Sequence, residues 1–223
     1  MIIGETCLLI ASVFVMIGLA KGITSRLYVN DYIAAFVIFL IVFLNIRGGI
    51  KLTDRYELFL GGILSVILVI WFLIKRSETV GQFFRAIISS LISAVIVFTY
   101  FLHFHAEKAF DENLVVLFAS LPLGIWCAVS ANRTFASCLF SAIFGSFLGS
   151  MFFLLFIQKG GSIGGENSFA VMWLGALTGL IVQYLGTYLL RATNHPRANS
   201  YFEAGKMQES SEEKKEDDLN GAK

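Results

Sequence analysis

The chain has 223 residues, of which 57% are hydrophobic and 15% charged, with a net charge of +1 and a mean hydropathy of +0.75. A soluble domain is about 45–50% apolar and about 25% charged, so this composition excludes an ordinary soluble fold. Most charges lie in short connectors and a tail, and no basic block points to nucleic acid as a partner.

Crossing the hydrocarbon core takes roughly 20 mostly apolar residues in a helix. Seven such runs can be read in chain order: 3–20, 29–46, 58–74, 86–103, 114–131, 135–157 and 169–190. The third is closed by Lys75 and Arg76. The first has no basic segment ahead of it, carries Glu5, and meets its first basic residue only at Lys21, so a retained helix is expected rather than a signal peptide. Stretches such as 63–74 are apolar without alternation. That excludes a barrel and leaves helices, which satisfy their own backbone in lipid. The expected fold class is all-α: a polytopic transmembrane helix bundle over 1–190, followed by a charged, disordered cytoplasmic tail over 191–223. Within that tail, 209–218 reads ESSEEKKEDD, with no aromatic or branched aliphatic residue to bury.

Between the runs lie polar connectors, notably RGGIKLTDRYE at 47–57 and KGGSIGGENS at 159–168. The second is glycine-rich but lacks the Gly-Lys-Ser/Thr ending of a phosphate-binding loop. Its glycines suit a tight or re-entrant turn, the latter only where protein shields it from lipid. The end of the fourth run reads HFHAEKAFDE. His103 and His105 would fall on different faces of a continuing helix, so a wet loop is expected there rather than a metal site. Cys7, Cys127 and Cys138 each lie in an apolar run and read as small buried hydrophobes. No catalytic, cofactor-binding or metal site is expected, because no nucleophile–base set, HExxH or intramembrane carboxylate pair is present. Glu5 and Arg85 are placed at span edges, where long side chains can reach the interface.

The sixth run has the clearest pattern. Ser137, Ser141, Gly145 and Gly149 recur every four residues, with Ala142, Ser146 and Ser150 beside them. The seventh carries Gly175 and Gly179, then Gln183 one step further. Small residues at this spacing let helix backbones approach closely in lipid. The sixth and seventh helices are therefore expected to pack face to face through Gly145, Gly149, Gly175 and Gly179. Gln183 is then the strongly polar side chain buried inside a span, within reach of a hydroxyl such as Ser141.

Lys and Arg in short connectors set orientation. One side carries Lys21, Arg26, Lys75, Arg76, Arg85, Arg133, Arg191 and Arg197; the other carries Arg47, Lys51, Arg55, Lys108 and Lys159. The bias predicts a multi-pass protein of the cell membrane with its N-terminus outside and its C-terminus in the cytoplasm.

The glycine motifs carry a resemblance. Asn45-Ile46-Arg47, Gly61-Gly62-Ile63-Leu64, the stretch from Gly145 to Met151 and the stretch from Gly164 to Ala170 resemble motifs of an uncharacterised prokaryotic family of polytopic membrane proteins. The resemblance covers about 45–185. Two aspartates of that family fall on Met151 and Ala170 here, so the resemblance implies a topology and no activity. Three functional readings follow: a non-enzymatic protein that packs or organises membrane components, a small-solute transporter or channel with a path along helices six and seven, and a membrane-embedded enzyme. Partners would be the lipid bilayer and a membrane-protein partner or a second copy of the chain.

Overall fold

Apolar runs that cannot hydrogen-bond to lipid must close their bonds internally, and helices dominate the computed structural model, which describes residues 3–18, 21–24, 29–77, 79–106, 112–130 and 134–192. The chain divides into two compact units, Met1–Gln183 and Tyr184–Lys223. Of the second, the described part is the helical stretch 184–192. The tail expected to be disordered lies, from 193 onward, outside the described residues, as does 107–111 of the HFHAEKAFDE stretch.

In chain order the elements are α1 (Ile3–Met16), α2 (Lys21–Thr24), α3 (Asp31–Ile46), β1 (Gly49–Thr53), β2 (Tyr56–Phe59), α4 (Leu60–Arg76), α5 (Val80–Ala106), α6 (Glu112–Ser130), α7 (Phe135–Phe153), a π-helical turn (Leu154–Gln158), β3 (Gly161–Ile163) and α8 (Glu166–Ala192). Among the described residues, three helical stretches are long and apolar enough to cross a membrane: Val80–His105, Phe135–Gln158 and Glu166–Leu189. The helices at Gly4–Met16, Asp31–Ile46 and Leu114–Ser130 are apolar but shorter. The chain is thus largely helical, with three described stretches that have the length and composition to cross a membrane.

Local chemistry sets several boundaries. The Asn30 side chain accepts from the Tyr32 N–H at 2.9 Å and caps α3, with Asp31 at its positive end. Lys75 and Arg76 occupy the last turn of α4, and Lys75 Nζ lies 5.0 Å from the centre of the Trp71 ring. The turn after α7 widens to π geometry and stops at Lys159, whose φ of 53° ends the helix.

The all-α expectation is corrected at the two polar connectors, which are paired strands. β1 and β2 form an antiparallel hairpin with Ile50 opposite Leu58 and Lys51 opposite Glu57. β3 then joins β2 in parallel, with Glu57 beside Ser162 and Leu58 beside Ile163, and the Gly161 N–H donates to Arg55 O at 2.8 Å. Leu58 and Phe59, expected in the third span, belong to β2. The glycine-rich connector forms an edge strand of this sheet, not a re-entrant turn. Its backbone groups need partners, and a neighbouring connector at the same end of the bundle supplies them.

Within the first unit α7 is central, packed against α4, α5 and α6. Its buried positions run around the whole helix, from Phe135 and Cys138 to Gly149 and Phe153. The outward faces carry large apolar side chains, such as Phe36, Phe39, Ile88 and Val95, while Ser90, Ser93, Ala94, Ala142 and Ser146 fill the inside.

Candidate functional site

The small-residue row of the sixth run meets α5. A methyl on Gly145 would lie 2.5 Å from Ser93 Cβ and 2.6 Å from Ser90 O; one on Gly149 would lie 2.5 Å from Ala94 O. Gly175 and Gly179 turn elsewhere. A methyl on Gly175 would lie 2.6 Å from Leu123 Cδ2 of α6, and one on Gly179 would lie 2.8 Å from Cys138 Sγ of α7 and 3.1 Å from Gly124 O of α6. The expected face-to-face match of the two glycine pairs is therefore corrected in part: Gly145 and Gly149 receive α5, Gly175 receives α6, and Gly179 lies against both α7 and α6. Spacing shows which residues share a face but not which neighbour the face meets. Ser141 donates to Ala86 O of α5 at 3.3 Å, and Gln183 is buried, so Ser141 is engaged with α5 and not with Gln183.

Buried hydroxyls along this seam are mostly satisfied within their own helices. Ser90 donates to Ile87 O, Ser93 to Ser89 O, Ser146 to Ala142 O and Ser150 to Ser146 O. Such bonds neutralise the hydroxyl locally and leave it acting as a small residue. α5 continues through Ala106, so His103 and His105 diverge by about 200°. The His105 ring packs edge-on against Phe153, with centroids 5.4 Å apart.

The polar site lies at the other seam. α3 and α4 are joined by the β1–β2 hairpin, and β3 leads into α8, so the C-terminal end of α3 and the N-terminal ends of α4 and α8 share one end of the unit with the sheet. The start of α1 joins them. Asn45 Nδ2 donates to Glu5 Oε1 at 2.9 Å. Glu5 is 5% exposed and Asn45 2% exposed. Asn45 Oδ1 is buried and has no hydrogen-bond donor among the described residues. This corrects the placing of Glu5 at an open span edge.

Glycines make the enclosure. A methyl on Gly61 would lie 2.7 Å from Asn45 Cβ, and one on Gly62 would lie 2.7 Å from Gly164 O. Gly164 itself has φ +68°, a conformation side chains resist. On α1, a methyl at Gly4 would lie 2.5 Å from Ala170 Cα. A polar thread continues from Gly61 O, which accepts from Ser65 Oγ at 2.7 Å, to Trp173, whose Nε1 donates to Ser65 Oγ at 3.1 Å. Beyond it the interior is apolar. Leu8, a turn on from Glu5, meets Ile41 and Val42, a turn before Asn45, and Phe169. This enclosed polar end, the chamber, is a buried carboxylate–amide pair backed by an apolar cluster. A sequence signal existed: one acid in the first turn of the first helix and one amide in the last turn of the next long one. Antiparallel packing places those turns side by side.

No protein-family model, curated protein or solved structure matches the chain.

Proposed function

We propose that the chain is a seven-span integral protein of the cell membrane, with its N-terminus outside and the charged tail in the cytoplasm. In this reading it is a non-enzymatic protein that packs against or organises other membrane components. The observation carrying the proposal is the large apolar surface that the helices turn outward: Phe36 at 66% exposure and Val95 at 63% face away from the core. Outward faces of this kind suit lipid or another membrane protein, including a second copy of the chain. The seven crossings rest on α1, α3 and α4 to α8 following one another in alternating directions.

Reporter fusions after Lys223 and within 47–57 should report opposite sides of the membrane; the same side for both would refute the topology. Mild detergent extraction should recover the chain with a membrane-protein partner or as an oligomer. A monodisperse single chain, with solute flux in proteoliposomes, would replace the organising role by transport. One observation favours that second reading. Glu5 is a buried carboxylate in the first turn of an apolar helix, and ionisable residues buried in such helices are commonly functional. The seam along Gly145, Gly149, Gly175 and Gly179 is closed by direct contact. A path would therefore be sought first at Glu5 and Asn45.

A further inference from the structure

We infer that Glu5 and Asn45 form a binding site for a small monovalent cation of the Na⁺ class, entered from the sheet end of the unit. Three observations converge. Glu5 is a buried carboxylate that no basic side chain among the described residues neutralises. Arg47, the basic residue nearest in sequence to Asn45, lies over the Phe43 ring, 5.1 Å from its centre. Asn45 Oδ1 is a buried acceptor with no donor. A buried acceptor left this way costs about 1–3 kcal/mol, and an uncompensated buried charge costs more.

A cation resting against the Glu5 carboxylate and Asn45 Oδ1 answers both needs at once. One carboxylate balances one positive charge, which favours a monovalent ion over a divalent one. Hard oxygen donors, a carboxylate and an amide carbonyl, suit an alkali cation over a soft metal. The end of α3 adds the negative pole of its helix dipole. Gly61 and Gly4 bring α4 and α8 close without filling the chamber with side chains. The plug of Leu8, Ile41, Val42 and Phe169 makes the chamber a dead end. The site therefore binds and does not conduct, and it stands whether the protein organises or transports.

The test is thermal unfolding of the purified full chain in detergent, in NaCl and in choline chloride at matched concentrations. A ligand that binds only the folded state stabilises it by mass action. The unfolding midpoint should be higher in Na⁺ by about 3–6 °C once Na⁺ is about tenfold above its dissociation constant. Glu5→Gln should abolish the difference while keeping the midpoint near the wild-type Na⁺ value, because the new amide can donate to Asn45 Oδ1. Asn45→Asp, with a second carboxylate, should enlarge the difference. Equal midpoints for the wild type in the two salts would overturn the proposal, as would a Na⁺ shift that survives Glu5→Gln. If Glu5→Gln does not fold, equilibrium dialysis with radioactive Na⁺ decides between wild type and Asn45→Leu: loss of retained Na⁺ in the variant supports the site, and undiminished retention refutes it. Neither readout depends on solute flux or on partner recovery, so the site and the organising role can fail separately.

Discussion

The α5–α7 seam and the sheet-end chamber both bring backbones close by means of glycine, yet they differ in what the small residues leave behind. At the seam, Gly145 and Gly149 let α7 sink onto Ser90, Ser93 and Ala94, and the serines bond to their own helices. The hydroxyls there find partners, mostly in their own helices and in the case of Ser141 across the seam at Ala86 O, so the seam is structural. At the chamber, Gly61, Gly62 and Gly4 draw four elements around a carboxylate and an amide whose demands are not settled. Small residues by themselves therefore say little about function. The polar groups they enclose, and whether those groups are satisfied, separate a packing surface from a site.

The sharpest way to break this comparison is to fill the seam. Gly149→Leu forces four heavy atoms where Ala94 O would already stand 2.5 Å from a methyl. Overpacking of this kind costs about 1–3 kcal/mol and sometimes more. The variant should lose most of its monodisperse fraction on size-exclusion chromatography in detergent. Gly81→Leu is the control, since a side chain there meets nothing within 4 Å. Similar losses for both would show that the seam is not tightly packed.

The second largest effect belongs to the chamber. Glu5→Leu takes the acceptor away from Asn45 Nδ2 in an apolar surround and should cost about 1–3 kcal/mol. Unfolding midpoints in detergent read it directly. Glu5→Gln should cost far less, since an amide can both accept from and donate to Asn45. If the leucine and glutamine variants unfold together, hydrogen bonding at the chamber contributes little and the contrast with the seam collapses.

A smaller effect is expected from the single hydrogen bonds of the bundle. Ser141→Ala removes a 3.3 Å bond to Ala86 O, and measured interhelical bonds in membranes average about 0.6 kcal/mol. Gln183→Leu should likewise destabilise far less than Gly149→Leu. A loss at either position as large as that of Gly149→Leu would mean that polar bonds, not packing, hold the helices.

Much of the fold was legible in the sequence because lipid imposes a simple demand. Long apolar runs must be helices; the runs at 86–103 and 135–157 lie within two of the three stretches long enough to cross, and 169–190 overlaps the third except for its last residue. The four-residue spacing of Ser137, Ser141, Gly145 and Gly149 marks one face, and the two glycines on it lie against α5. What spacing could not supply is the partner. Gly175 and Gly179 look complementary to Gly145 and Gly149 by chemistry alone, yet Gly145 and Gly149 meet α5, Gly175 meets α6, and Gly179 alone also touches α7 through Cys138. The strands were missed because 47–57 and 159–168 are short and polar, and their pairing joins residues about a hundred positions apart. The chamber was missed for a related reason. Glu5 and Asn45 each sit at a helix end, where a polar residue is ordinary, and only the fold places one end on the other.

The smallest expected effect lies in the sheet at the chamber's end of the unit. Lys51 stands opposite Glu57 across the antiparallel hairpin, and Glu57 also borders Ser162 of β3. Directly opposed charges contribute roughly 0.2–1 kcal/mol, and like charges reverse the sign. Lys51 is exposed, so screening by salt should keep the effect near the low end. Lys51→Glu should lower the unfolding midpoint slightly at low ionic strength and hardly at all at high. The double exchange Lys51→Glu with Glu57→Lys should recover the loss, because it restores opposite charges in the same register. Recovery at low salt that vanishes at high salt would place the two side chains across from each other in solution. A double variant no better than the single one would mean that the hairpin register is not held by this pair. The tie between the two connectors would then rest on backbone bonds such as Gly161 N–H to Arg55 O.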